Sequence, residues 1–250
     1  MERKKLIMIV VMITSMIFFF VGIAFEASFY FLYPPVKTEG EHSCHWIIIS
    51  IYLGLLVNAT FLMYASMSEF HMTCSFMQIC FKRINEKVRK MVCDLSTADI
   101  KSVKAVRKCH NNCIQMVNRA NDFWKYYLFI LYLFFIPMTV FQSYAMFYSD
   151  LKLLEIISSL MWLTSNSLVM IVISLNASLI HTLAYKAYND LYSLTVTKSS
   201  EEIAYEVNIF LNRLNYDNVG FTCWNLLTIT PNILLTVATA VITYLLAMKK

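Results

Sequence analysis

Apolar runs long enough to cross a bilayer alternate along this chain with polar stretches that keep a helical period. The runs cover Leu6 to about Tyr33, Trp46 to about Met67, Tyr126 to Tyr148 and about Ile156 to Tyr185, and a fifth closes the chain from Phe221 to Met248. Pro34-Pro35 stops the first run, Trp46 opens the second as an interfacial anchor, and Pro137 predicts a kink in the third. Between the second and third, residues 68–125 contain neither Gly nor Pro. Apolar residues recur there at helical spacing (Ile84, Val88 and Met91, then Val103, Val106 and Cys113), which predicts two amphipathic helices broken near Asp94 to Thr97. Ser199 with Glu202 makes a capping box, opening a helix that carries Ile203, Val207, Phe210 and Leu214 on one face. The pattern predicts an all-α fold: a polytopic membrane helical bundle of five spans with long cytosolic helical extensions. Its parts are the first two spans (1–67), basic cytosolic helices (68–125), the third and fourth spans (126–185), a cytosolic helix (186–220) and the last span (221–250).

Composition agrees with long helices in lipid. Of the 250 residues, 58% are hydrophobic and 15% charged, and only four Gly and four Pro stand beside 18 Phe and 15 Tyr. The net charge of +5 matters less than its placement: of 21 Lys and Arg, seventeen fall in the segments 1–5, 68–125 and 186–218, and four in the remaining loops and the carboxyl end. By the positive-inside rule the amino terminus is cytosolic and the carboxyl terminus extracellular, in the plasma membrane. The basic residues are fixed between spans, so anionic lipid is their natural partner and nucleic acid is not. Seven irregularly spaced cysteines, mostly in cytosolic or membrane segments, do not form a secretory disulfide framework.

Chemistry-bearing motifs are sparse. The five His (His42, His45, His71, His110 and His181) show no zinc-protease spacing, and four scattered Gly cannot build a phosphate cradle, so neither an enzyme nor a cofactor is expected. His42, Cys44 and His45 in one short loop make a weak metal set with no fourth ligand, and Cys109-His110 with Cys113 reads better as buried thiols. The sequons at Asn58 and Asn176 lie inside apolar runs. Glu26 near the outer end of the first run serves either a function or the interface.

Polar residues in the last run are ordered. Asn225, Thr228, Asn232, Thr236, Thr239 and Thr243 follow at steps of three or four, which puts them on one face of a helix. Such a face is either a packing seam between helices or the wall of a pore. The fourth run is also unusually polar, with Ser158, Ser159, Thr164, Ser165, Asn166, Ser167, Ser174, Asn176 and Ser178. Much of it must face protein or a wet cavity.

The closing segment resembles the terminal signature of the insect and arthropod gustatory receptor family. The matching residues are Gly220-Phe221, Trp224, the stretch Leu226 to Pro231, and Thr243-Tyr244. The Gln-Phe that ends the family signature is replaced by Leu245, Leu246, Ala247, Met248 and Lys249-Lys250. The resemblance implies a tetrameric, ligand-gated cation channel, a homo- or hetero-tetramer with related receptors. Its last helix would line the pore with Asn232, Thr236, Thr239 and Thr243, and Val237, Val241 and Leu245 would narrow it. It also implies a ligand cavity among the outer halves of the spans. Tyr144, Phe147, Tyr148, Trp162 and Asn166 are the candidates to line it, suited to a small neutral organic tastant, with ordinary interhelical packing as the other reading. Five spans are two fewer than the family has: aligned with the family's last five, the chain would lack the first two, by divergence, partial gene prediction or truncation. The departures leave an alternative function: a non-conducting subunit or adaptor that pairs with full-length receptors. A secondary transporter would show internal repeats, and the halves share none.

Overall fold

The computed structural model describes residues 42–93, 99–149, 152–196, 201–216 and 219–248. They form α1 (His42–Cys93), α2 (Ile100–Tyr148), α3 (Leu153–Tyr185), α4 (Ala187–Val196), α5 (Glu201–Tyr216), the antiparallel strands β1 (Thr222–Cys223) and β2 (Leu227–Thr228), and α6 (Ile233–Met248). The expected first span, with Glu26, and the terminal Lys249-Lys250 lie outside the described residues. So do the side chains of His42, Cys44 and His45, whose backbone begins α1 rather than a loop. Among the described residues no His, Cys, Asp and Glu group is arranged to hold a metal.

With no Gly or Pro from Ser68 to Lys125, nothing interrupts the helices where lipid-length runs pass into basic, amphipathic ones. α1 therefore continues for 52 residues and α2 for 49, and α2 carries Pro137 in its interior. The stretches Ile100–Tyr148 and Glu155–Thr195 are long and apolar enough to cross a membrane.

The chain divides into two compact units. One holds Phe70–Leu133 and Ile173–Thr236. Its core joins Ile84, Val88 and Met91 of α1, Val103 and Val106 of α2, Ala187, Leu191 and Leu194 of α4, and Val207, Phe210, Leu211 and Leu214 of α5. The apolar face read from the sequence of α5 thus finds its partner within the chain, and α4 packs against α5. Glu206 is buried at the edge of this core, with its carboxylate 3.4 Å from Lys104 Nζ and 3.1 Å from an Arg107 guanidinium nitrogen.

Polar rungs cross the same unit. His71 Nδ1 meets Asn176 Oδ1 at 3.2 Å, Gln78 Nε2 donates to the Asn176 carbonyl at 3.2 Å, and Asn85 Nδ2 donates to the Leu183 carbonyl at 2.9 Å. These three α1 residues are spaced by seven, so one side of the helix returns to α3 every second turn. Tyr132 and Ser174 share a hydroxyl–hydroxyl hydrogen bond, and His110 Nε2 lies 3.1 Å from the Ala184 carbonyl between the Phe81 and Phe210 rings. Buried amides and hydroxyls cost about 1–3 kcal/mol each when unpaired, so such rungs fix which helix faces meet.

The other unit holds Met1–Glu69, Phe134–Val172 and Val237–Lys250. In its described part Tyr64 Oη and Ser165 Oγ are 3.4 Å apart, and Asn166 Nδ2 donates to Gln142 Oε1 at 3.4 Å. Large apolar side chains of α1 and α2 (Leu55, Phe61, Phe141 and Phe147) are exposed, as residues bathed in acyl chains are.

The last element departs from the sequence reading. Phe221 to Met248 is not one helix: a hairpin and a turn come first, and α6 begins at Ile233 with 16 residues, a rise of about 24 Å. The local cause is visible. Cys223 to Leu226 closes a two-residue turn by Leu226 N donating to the Cys223 carbonyl at 2.9 Å, with Trp224 at φ 48° and Asn225 at φ 57°. Both central residues at positive φ make it a mirror-image turn whose twist suits a hairpin. Pro231 then occupies the second position of a turn closed by Ile233 N to the Thr230 carbonyl at 3.1 Å, where its fixed φ fits and its missing donor costs nothing.

Candidate functional site

α6 carries the hydroxyl row. The hairpin removes Asn225 and Thr228 from it: Thr228 lies in β2 and Asn225 in the turn. Asn232 immediately precedes α6, and Thr236, Thr239 and Thr243 follow on one helical face; all four are exposed. Thr236 Oγ1 donates to the Asn232 carbonyl at 3.2 Å and Thr243 Oγ1 to the Thr239 carbonyl at 2.8 Å. Val237, Val241 and Leu245 occupy the opposite, half-buried side of the helix. They do not share the threonine face, and so cannot narrow a passage that the threonines line. The apolar residues flanking the hydroxyls are Leu235, Ile242 and Leu246, exposed by 70%, 57% and 64%. Their larger spacing from the valines follows from the 100° step of the helix, which the sequence reading passed over.

The residues of the family signature have separate tasks. Gly220 sits where the chain passes close to its neighbours: a Cβ there would meet Thr228 Cγ2 at 3.0 Å and His181 Cβ at 3.7 Å. Phe221 is fully buried, its ring edge-on to Phe70 with centroids 5.0 Å apart, while Phe70 also meets Trp124 at 5.3 Å. Thr243 belongs to the hydroxyl row, and Tyr244 beside it is exposed. Trp224 rests on Phe129 at 4.8 Å and Tyr126 at 6.2 Å, and its backbone N donates to the Lys125 carbonyl at 3.1 Å. Asn121 of α2 completes the attachment by accepting from Thr222. Sequence reasoning did not find Asn121. Its only signal was an amide one helical turn before the interfacial aromatics at the end of the basic stretch.

The aromatic candidates fall in the other unit. Tyr144 and Tyr148 stack, with centroids 5.1 Å apart and planes tilted by 39°. Asn166 is buried and tied to α2 through Gln142, and it directly follows Ser165, which meets Tyr64. Trp162 of α3, half-buried, is one turn from Asn166. Phe147 is exposed by 66%, and Tyr144 and Tyr148 by 36% and 42%. The structure thus joins the tyrosines to each other and Asn166 to α2, and leaves Phe147 at the surface.

Two solved structures with this fold are those of the insect olfactory receptor OR5 from Machilis hrabei. The structure in complex with eugenol superposes with a TM-score of 0.72 at 14% sequence identity, covering 98% of this chain and 67% of that one. A second structure of that receptor superposes with a TM-score of 0.73 at 15% identity, covering 99% of this chain and 67% of that one. No curated protein sequence matches the chain. At this identity the likeness establishes the fold, that of a helical membrane bundle, and the family follows from sequence: the model of the 7tm chemosensory receptors matches residues 4–248. Almost the whole chain lies within that match, and it therefore belongs to the 7tm chemosensory receptor family.

Proposed function

We propose that the chain is a subunit of a ligand-gated cation channel of the plasma membrane that detects small organic compounds, with tastants as its ligands. The observation that carries this reading is the disposition of α6. Its hydroxyl-bearing face, Asn232, Thr236, Thr239 and Thr243, is turned away from the rest of the chain, while Val237, Val241 and Leu245 are half-buried. A membrane helix that packs through its apolar side and presents hydroxyls outward suits a shared aqueous axis, because several copies would then surround water with polar groups. Four copies around that axis, alike or mixed with related receptors, make the assembly. In it, Leu235, Ile242 and Leu246 are placed to narrow the passage and gate it by dewetting. The amino terminus lies in the cytosol and the carboxyl terminus outside, following the distribution of Lys and Arg.

The ligand acts by binding one state better than the other. Tyr144, Tyr148, Trp162 and Asn166 are the residues proposed to receive it, and Phe147 is placed against lipid or a neighbouring subunit. A small organic ligand is supported by the eugenol held in one of the similar structures. The test is ligand-evoked current from the chain expressed in cells. Thr239→Trp is expected to abolish it with surface expression unchanged, and an unaltered current removes that face from the conduction path.

A second reading has its own observation. Thr236 and Thr243 donate their hydroxyls to backbone carbonyls one turn back, at 3.2 and 2.8 Å, so these two need no water to donate to. This is how a non-conducting subunit or adaptor paired with full-length receptors would also be built. Recording from the chain alone and then with a full-length partner separates the two.

A further inference from the structure

The turn of the hairpin holds a bulky side chain where a small one is cheapest. Trp224 takes φ 48°, in the left-handed region that glycine and asparagine enter readily and that is an outlier for a large residue. Its indole is not folded away into a core. It rests edge-on against Phe129 and Tyr126, with centroids 4.8 and 6.2 Å apart, and stays 49% exposed. Leu226, whose N closes the turn, and Leu227 of β2 are exposed as well. In water such a tip would be costly both in backbone conformation and in uncovered apolar surface.

The helix that Trp224 leans on indicates what covers the tip. Phe123, Tyr126, Ile130 and Leu133 of α2 follow at steps of three, four and three, so these exposed side chains form one stripe. The stripe runs toward the apolar part of Ile100–Tyr148, a stretch long and apolar enough to cross a membrane. In the other direction it meets the exposed Arg119 and Asp122. Lys125 Nζ pairs with Asp122 at 2.9 Å and lies 5.4 Å from the centroid of the Tyr126 ring. Charge thus gives way to hydrocarbon within about two turns of α2, and the rings that hold Trp224 lie at that change. From Gly220 to Met248 the chain carries no charged residue, so no ion on the tip opposes its leaving water. Tryptophan gathers at such boundaries because its ring is apolar while its N–H keeps a polar partner.

We propose that the β1–β2 hairpin is a lipid-binding element. Its tip, Trp224 with Leu226 and Leu227, seats among the glycerol esters and first acyl carbons of the leaflet nearest the basic helices. The partner is a phospholipid met at its ester level, not through the charge of its headgroup, since the tip bears no charge to pair with it. A second copy of the chain would cover the same apolar area, but the tip is continuous with the outward stripe of a membrane-crossing helix, which lipid bathes. Because the hairpin leads into α6, the bilayer touches the segment that positions that helix. The anchorage does not depend on whether the chain conducts.

The test uses the full chain in nanodiscs of phosphatidylcholine brominated either near the headgroup end of one acyl chain or near its methyl end. Bromine quenches indole fluorescence on contact, so the two lipids report depth. The chain has four tryptophans, and the share of quenching that disappears in Trp224→Phe belongs to Trp224. That share is expected to be severalfold larger with the shallow bromine than with the deep one. Equal shares, a larger share from the deep bromine, or no difference between the unmodified chain and Trp224→Phe overturns the proposal. A second measurement needs no variant: a photoreactive phosphatidylcholine, with its diazirine near the ester, is cross-linked to the unmodified chain and the adducts are mapped by mass spectrometry. Adducts are expected on the peptide containing Trp224 to Leu227. Adducts on the α2 stripe with none on the hairpin, or a cross-link from the hairpin to a second chain in its place, overturns the proposal.

Discussion

Asn121 accepts two hydrogen bonds from Thr222, one from its backbone N at 2.7 Å and one from its Oγ1 at 3.1 Å. A single amide oxygen on α2 thus holds the first strand of the hairpin that leads into α6. Thr222 Oγ1 in turn accepts from Asn225 N at 3.3 Å, so the strand and its turn share one anchor.

Asn121→Ala removes the acceptor and leaves a backbone donor unpaired in a half-buried place. The expected loss is about 1–3 kcal/mol. Asn121→Asp keeps the accepting oxygen and is expected to cost less. Thermal unfolding of the detergent-solubilised protein, followed by fluorescence size-exclusion chromatography, ranks the two.

Gly220→Ala is expected to destabilise by about 1–3 kcal/mol, because the new methyl is forced toward Thr228 Cγ2 at 3.0 Å. Thr228→Ser deletes that methyl while keeping the hydroxyl. The double variant should regain most of the loss in the same unfolding assay. Equal instability in single and double variants would place the strain elsewhere.

Phe210→Ala opens a cavity among α1, α2, α4 and α5, where Phe210 is fully buried and its ring lies 5.1 Å from that of His110. About 3–5 kcal/mol is expected to be lost, enough to deplete folded protein in the membrane. Glu206→Ala at the rim of the same core strands Arg107 and Lys104 side by side. Its effect should be smaller than that of Phe210→Ala, since both cations keep access to water.

Thiol reactivity gives a pH test. With Cys113 raised to about 11 by burial and by Cys80, its thiolate is scarce at neutral pH and grows as pH climbs toward that value. Maleimide should label the exposed Cys93 and Cys109 near pH 7 and reach Cys113 only in alkaline buffer. Labelling of Cys113 at the rate of Cys109 near pH 7 would contradict the burial described.

The long helices were legible because their signal is periodic and local. α1 ends at Cys93 and α2 starts at Ile100, and the break expected near Asp94 to Thr97 lies outside the described residues. The face Val207, Phe210 and Leu214 of α5 is buried where its spacing put it. α4 was hidden because Lys186 separates it from α3 by a single turn residue, which composition does not distinguish from the end of a span. The hairpin was hidden for a different reason. Its turn uses Trp224 and Asn225 rather than a glycine pair, and a run such as Trp-Asn-Leu-Leu reads equally well as apolar helix. What selects the hairpin is tertiary: Asn121, the Lys125 carbonyl and the rings of Tyr126 and Phe129 all lie about a hundred residues earlier in the chain. The seven-residue spacing of His71, Gln78 and Asn85 was present in the sequence, yet spacing alone does not name the helix that receives them. For the aromatic set, residue type suggested a common site, but it carries no information on burial, and Phe147 is left 66% exposed.

The brevity of the closing rod has a further outcome. At about 24 Å, it falls short of a hydrocarbon layer of about 30 Å. A lone copy must pinch the surrounding leaflets or draw its ends inward, and each ångström of disagreement costs a fraction of a kcal/mol. In the assembly proposed above several copies share that deformation, so bilayer elasticity adds to whatever holds them together, and thicker membranes should add more.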